Sequence, residues 1–137
     1  MKKILISVLL AAALLFTGAS LQANVLVDEY ENEVRREIEP EDLWIDQLRG
    51  EAPLIIDIRS QDERSDGFIP DSMHKNFGRL LFFIDDYAEK KQEFILVCQG
   101  GDRSIIAAKL LQDKGYSPVR LEGGFNDWED AELPVDK

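Results

Sequence analysis

One cysteine and one histidine are all that 137 residues contain of those two types, and basic residues are outnumbered 16 to 27 by acidic ones. Each scarcity excludes something. A lone cysteine, Cys98, cannot close an internal disulfide, so no covalent staple supports the fold. Cys98 and His74 together fall short of a zinc ligand set, and no metal site is expected. A formal net charge of −11 argues against nucleic acid as a partner, because phosphate binding needs clustered Lys and Arg. The carboxylate surplus itself reports a solvated, self-repelling surface and little chemistry. There is no internal repeat and no low-complexity stretch. With 45% hydrophobic residues, the chain suffices for one domain with a core and is too short for two.

Long apolar runs are also missing. The longest, Ile4 to Phe16, covers 13 residues, short of the roughly 20 that span a bilayer comfortably. It follows Lys2 and Lys3 and is followed by Thr17, Gly18, Ala19 and Ser20, with Ala23 a little further on. That is the layout of a secretory signal, residues 1–23, with cleavage fitting after either Ala19 or Ala23. No cysteine lies near these points, which excludes a lipoprotein anchor. An uncleaved membrane anchor is the alternative, but no stable anchor is expected. Either way the domain is expected outside the cytosol, periplasmic or secreted. Removing residues 1–23 takes away two lysines and no acid, leaving a net charge of −13. In an exported protein, a single thiol is a buried inert group, a site of intermolecular pairing, or a reactive one.

Residues 24–36 are charge-rich and weakly patterned, and read as an extension or edge element that either packs on the domain or tethers it. IEPEDLWIDQLRG predicts a helix, with Pro40 at its first position, Leu43, Trp44 and Leu48 on one face, and Gly50 as its stop. APLIIDIR and EFILVC predict strands buried on both faces. Between them lie a polar, turn-rich stretch ending at His74 and an amphipathic helix over GRLLFFIDDYAEKK. RSIIAAKLLQDKG predicts a helix with Ile105, Ala108 and Leu111 on one stripe and Gly115 as its stop. SPVRLEGG predicts a third strand and FNDWEDAEL a short last helix. Strands alternating with helices, and strands without in/out alternation, predict an α/β domain with a parallel sheet and right-handed crossovers.

Ligands of such sheets sit at the carboxyl ends of strands. Cys98 lies where EFILV ends and a helix is about to begin, at the head of VCQGGDRS. Gly100 and Gly101 allow successive backbone N–H groups to turn inward as an anion nest, and a helix starting near Ser104 adds its positive end. Arg103 contributes a full charge. Each favours a thiolate at Cys98 over a thiol. The competing reading is a core cysteine beside an ordinary strand-to-helix turn. A Cys–His pair is disfavoured, because His74 lies far back in a polar connection and is read as a surface or loop residue.

The motif C-x-x-G-x-R-S at Cys98, Gly101, Arg103 and Ser104 resembles the active-site loop of the rhodanese sulfurtransferases. IEPEDLW resembles that family's opening helix, and IIDIR, with Asp57 and Arg59, its D-x-R strand. DGFIPDS resembles its G-H-I-P-G-A turn, and LEGGFNDWEDAELPV its closing G-G-W-x-x-W segment. The resemblance spans roughly residues 37–137. It implies a three-layer sandwich around a five-stranded parallel sheet, and a thiolate at Cys98 that takes sulfur from a donor such as thiosulfate, polysulfide or a persulfide. The sulfur would rest as a persulfide cradled by Gln99, Gly100, Gly101, Asp102 and Arg103, then pass to cyanide, a thiol or a protein acceptor. No metal or organic cofactor is implied. Asp57 and Arg59 are read as bracing residues and Ser104 as a helix-start hydroxyl. Gly123 and Gly124 are read as a turn and Trp128 as a core contact.

Two departures stand in the turn: Phe68 where the family commonly has histidine, and Asp71 where it commonly has glycine. Asp tolerates positive φ, so the turn is expected to survive. In the loop, Asp102 places a carboxylate next to the site, which disfavours a dianionic donor if it points inward. The alternatives are a persulfide carrier or sulfur-binding module and, on the same scaffold, a phosphatase or arsenate reductase. Those oxyanion enzymes use C-x₅-R loops; here four residues separate Cys98 from Arg103.

Overall fold

The computed structural model describes residues 20–137, with side chains from Val25 onward. The apolar run from Ile4 to Phe16, read above as a secretory signal, lies outside the described residues. No described helix is long and apolar enough to cross a membrane.

The elements are α1 (Ser20–Glu31), β1 (Glu37–Ile38), α2 (Pro40–Arg49), β2 (Leu54–Asp57), α3 (Gln61–Ser65) and β3 (Met73–His74). They continue with α4 (Phe77–Phe83), a 3₁₀ turn (Ile84–Asp86), β4 (Glu93–Val97), α5 (Asp102–Asp113), β5 (Ser117–Leu121) and α6 (Gly124–Asp130). The strands form one five-stranded sheet in the order β1-β5-β4-β2-β3, every pairing parallel. The apolar strands at its centre bury both faces, as their sequences predict. Ile56, Phe94 and Leu96 point to one side with Leu80 of α4 and Ala107, Ala108 and Leu111 of α5. Ile55, Ile95, Val97 and Val119 point to the other, against Leu43 of α2 and Phe125 and Trp128 of α6. Trp128 is fully buried, stacks edge-on with Trp44 at 6.3 Å and donates its indole N–H to the Pro134 carbonyl at 2.8 Å.

Register positions the site. Asp57 pairs with Val97, and Leu96 with Arg120, so β2, β4 and β5 end nearly level. Residues 58–60, 98–101 and 122–124 therefore leave the sheet along one edge. The short strands β1 and β3, two residues each, have too little pattern to be read singly.

Several local expectations change in three dimensions. Leu48 is not on the buried face of α2; it is 67% exposed. Five residues after Leu43 is about 140° around a helix, whereas Gln47, four residues on, keeps the inward row. Gln47 uses that position to donate from Nε2 to the Pro70 carbonyl at 2.7 Å. The helix expected over residues 78–91 ends at Phe83, where the chain tightens so that the N–H groups of Tyr87 and Ala88 both reach the Ile84 carbonyl. Helix α5 begins at Asp102, two residues before Ser104, and is buried on two sides rather than along one stripe.

The second side is covered by α1. The weakly patterned extension is a helix whose Tyr30, with Leu26 and Val27, packs on Ile105, Ile106 and Leu110 of α5. Glu33 pairs with Lys109 at 3.0 Å, Val34 is fully buried in the main core, and Arg120 donates to the Val34 carbonyl at 3.2 Å. The segment is thus part of the body that carries the loop after Cys98. Truncating its anchor, Tyr30→Ala, is expected to cost about 2 kcal/mol, as a buried large-to-small change at a layer edge does. A urea titration checks this: the midpoint falls with the slope unchanged, whereas a mere tether leaves the midpoint where it was.

Candidate active site

At the carboxyl edge of the sheet, the first fixed point is a buried ion pair. Asp57 ends β2, and Arg59, two residues on, folds back on it: Nε lies 3.0 and 3.1 Å from the two carboxylate oxygens, and Nη2 lies 2.8 Å from Oδ2. Both side chains are essentially inaccessible. The remaining Arg59 donors reach Gln99 Oε1 at 3.0 Å, the Glu63 carbonyl at 3.3 Å and the Gly67 carbonyl at 2.7 Å. Its guanidinium also lies 4.0 Å from the centre of the Phe125 ring. A second cation, Arg64, donates to Asp57 Oδ2 at 3.0 Å and to the hydroxyl and carbonyl of Ser72 at 2.9 Å each. Arg64 stacks on Phe68, the aromatic ring that stands in the turn, at 3.9 Å. Asp71, in the same turn, takes φ 62°, the positive value the sequence reading allowed for.

The Cys98 loop is held from the opposite side by α6. The Phe125 N–H donates to the Cys98 carbonyl at 2.8 Å and the Asn126 N–H to the Gln99 carbonyl at 2.9 Å. Because peptide groups are planar and trans, the N–H groups of Gln99 and Gly100 then point away from α6. Gln99 Nε2 donates to Asn126 Oδ1 at 2.6 Å, so its amide is fixed at both ends. Gly101, at φ 103°, turns its N–H onto the Cys98 sulfur, 3.0 Å away. Only that N–H reaches the sulfur among the described residues, so the cradle is narrower than the ring anticipated from the glycines. Cys98 itself is 1% exposed and shares the core cluster with Leu96 and Ala107. The Ser104 hydroxyl donates to the Gly101 carbonyl at 2.6 Å, bracing the bend from inside the helix instead of capping its N–H groups.

Arg103 makes its hydrogen bonds away from the sulfur: its fork is closed on Glu63, with Nη1–Oε2 at 2.9 Å and Nη2–Oε1 at 2.5 Å, while its charge still acts on Cys98 through space. The carboxylate belongs to α3, where Glu63 also forms a reciprocal capping box with Ser60. The hydrogen bonds from Arg103 and from the Ser60 backbone outweigh burial and hold the Glu63 carboxyl down at about 2. The same contact raises Arg103 above its ordinary value. Glu63 and Arg103 are both partly exposed, so this is a rim contact, weakened by solvent but geometrically bidentate.

Structure therefore brings together Cys98, Gln99, Gly101, Arg103, Ser104, Asp57 and Arg59. Gly100 and Asp102 are exposed on the outer side of the loop. His74 sits in β3 rather than on a loose surface, its Nε2 2.8 Å from the Arg59 carbonyl. Glu63, Arg64, Asn126 and the contact made by Gly124 were not singled out from sequence. For Glu63 a signal was available, since Ser60 followed three residues later by Glu is a capping-box pattern. For the others there was none.

The parallel α/β domain thus offers a thiol from a glycine-bearing loop between a central strand and a helix start. Residues 40–131 match the Rhodanese-like domain family. Over 82 residues the chain is 32% identical to thiosulfate sulfurtransferase GlpE of Pseudomonas syringae, covering 59% of this chain and 76% of that protein. A protein of unknown function from Rhodopseudomonas palustris, described as a possible tyrosine phosphatase, superposes with a TM-score of 0.73 at 33% identity. That match covers 83% of this chain and 93% of the other. A rhodanese-related protein from Thermoplasma volcanium superposes at 0.64 with 27% identity, covering 74% and 97%. The chain belongs to the rhodanese-like family, and curated relatives in that family are sulfurtransferases.

Gly124 explains how tightly the last helix grips the loop. At φ 65°, a Cβ there would lie 2.5 Å from the Cys98 carbonyl oxygen, 2.8 Å from that of Gln99 and 2.9 Å from the Gly101 nitrogen. All three are backbone atoms that cannot swing aside. Gly124→Ala is expected to cost about 3 kcal/mol from overpacking and positive φ together. It should also disturb Cys98 reactivity. Thermal melting combined with the rate of thiol alkylation checks both; wild-type values in each would remove the grip from this account.

Proposed function

We propose that this chain is a sulfurtransferase working through a persulfide on Cys98. The sulfur of Cys98, held by the Gly101 N–H at the end of β4, carries this reading. The Cys98 thiolate attacks the outer sulfur of a sulfane donor. A Cys98–sulfur bond forms, the donor's sulfur–sulfur bond breaks, and its electron pair leaves with the remainder, sulfite when the donor is thiosulfate. A thiolate or cyanide acceptor then attacks the outer sulfur, and the electron pair of the breaking bond returns to Cys98. This is covalent catalysis with ping-pong order, and every step takes place on the cysteine itself. Donor binding falls to the loop residues Gln99 to Arg103, while Asp57 and Arg59 hold the loop's floor.

Four residues between Cys98 and Arg103 suit a single sulfur atom better than a tetrahedral oxyanion, which favours transfer over phosphatase or arsenate reductase chemistry. A persulfide carrier that releases sulfur only to a protein partner uses the same first step. Slow release to free thiols, relieved by a partner, separates it from a turnover enzyme. The signal-like N-terminus supports an exported, periplasmic or secreted protein acting on small sulfur compounds.

Intact mass spectrometry before and after thiosulfate, and then polysulfide, is expected to show one added sulfur atom that cyanide removes and Cys98→Ser abolishes. No adduct from either donor on a demonstrably free thiol overturns the proposal. Asp102 is exposed in the first turn of α5, beside the loop. Asp102→Asn is expected to lower the apparent KM for thiosulfate several-fold by removing a like charge; an unchanged KM takes Asp102 out of donor selection.

A further inference from the structure

We infer that Glu63, through its closed pair with Arg103, sets the donor class of the site, disfavouring dianionic donors and selecting sulfane sulfur that carries little charge, such as a hydropersulfide. This rests on the sulfurtransferase reading above.

Three guanidinium groups surround the loop, and two are turned onto Asp57 and its neighbours, one of them with every donor engaged. All of the Arg59 donors are engaged by Asp57, Gln99, Glu63 and Gly67, at no exposure. Arg64 is spent on Asp57 and Ser72, with its side chain 12% exposed. Arg103 is the one partly open, at 33%, and its two terminal nitrogens both face Glu63. A sulfonate could gain that fork only by displacing the carboxylate, which would then be left against it. With Asp102 beside the loop, the rim around Cys98 carries two carboxylates and one guanidinium. While the pair is closed, the hydrogen bond from Arg103 holds the Glu63 carboxyl at about 2, so the carboxylate that a sulfonate must displace is ionised.

A hydropersulfide, R–S–SH, makes no such demand. The Cys98 thiolate attacks its terminal sulfur, the sulfur–sulfur bond breaks, and the thiolate R–S⁻ leaves, giving Cys98–S–SH with atoms and charge balanced. No sulfonate has to be seated, and Glu63 stays on Arg103.

The test compares single-turnover loading of Cys98 by thiosulfate and by cysteine persulfide, read by intact mass, in wild type and Glu63→Gln. Glutamine keeps the length and the capping acceptor for the Ser60 N–H, so α3 is retained. The ratio of thiosulfate to persulfide loading rates is expected to rise at least about tenfold in Glu63→Gln, as loss of a like charge beside a dianion requires. In wild type, added salt should speed thiosulfate loading more than persulfide loading, and the difference should shrink in the variant. A ratio that stays level or falls in a variant with wild-type melting overturns the inference while leaving the sulfurtransferase intact. If the variant does not fold, wild-type salt dependence decides: a thiosulfate rate that is flat or falls with salt overturns it. Absence of any Cys98 adduct in wild type, from either donor, instead removes the parent reading.

Discussion

The guanidinium of Arg59 is the point on which this domain's working edge depends. It is a charge with no exposure, tolerable only because Asp57 opposes it and each remaining donor finds an acceptor. Those acceptors belong to α3, to the turn at Gly67 and to the Cys98 loop, and the ring beneath belongs to α6. One planar side chain thus ties its own neighbourhood, α3 and the turn at Gly67, to two segments distant in sequence, the Cys98 loop and α6. Removing Asp57 would strand the Arg59 charge in the interior, a cost of about 3–5 kcal/mol, whereas Asp57 without Arg59 would still keep its contact with Arg64. The pair's contribution is as much to placement as to stability. A lysine could not replace it, since an ammonium lacks the planar fork that reaches Asp57, Gln99 and Gly67 at once.

Around that anchor, the Cys98 loop is gripped through its backbone. Its carbonyls are taken by the first N–H groups of α6, its bend is held by Ser104 and its amide side chain is fixed between Arg59 and Asn126. The sulfur can then receive the Gly101 N–H without any strong charge in direct contact. Arg103, the cation that sequence alone would assign to the sulfur, makes its hydrogen bonds to Glu63 at the rim. This division gives the site a buried, rigid floor and a polar, adjustable entrance, the arrangement expected where positioning and selectivity are set by different residues.

Much of this was legible before folding. The apolar runs LIID and EFILV could only be central strands, and Pro40, Gly50 and Gly115 punctuate helices in the places their backbone preferences dictate. The family motifs singled out Cys98, Arg103, Asp57 and Arg59. What escaped was non-local. Helix α1 has little amphipathic pattern because Val25, Leu26 and Val27 are consecutive and spread around it, and only the back of α5 gives Leu26, Val27 and Tyr30 a surface to cover. Leu48 looked buried because it follows Trp44 by four residues, and only docking shows that Leu43 is the buried centre of the face and Trp44 its edge. Glu63 carried a capping signal but nothing that pointed 40 residues ahead to Arg103.

By itself, the sequence determined the strand and helix order, the parallel sheet, and the cysteine's place at a strand's carboxyl end, because those follow from local periodicity, turn residues and strand composition. Only the tertiary structure decided which charges meet. Whether Arg103 faces the sulfur or Glu63, and whether residues 24–36 tether or pack, depends on register and docking between distant segments, and no local preference encodes those choices.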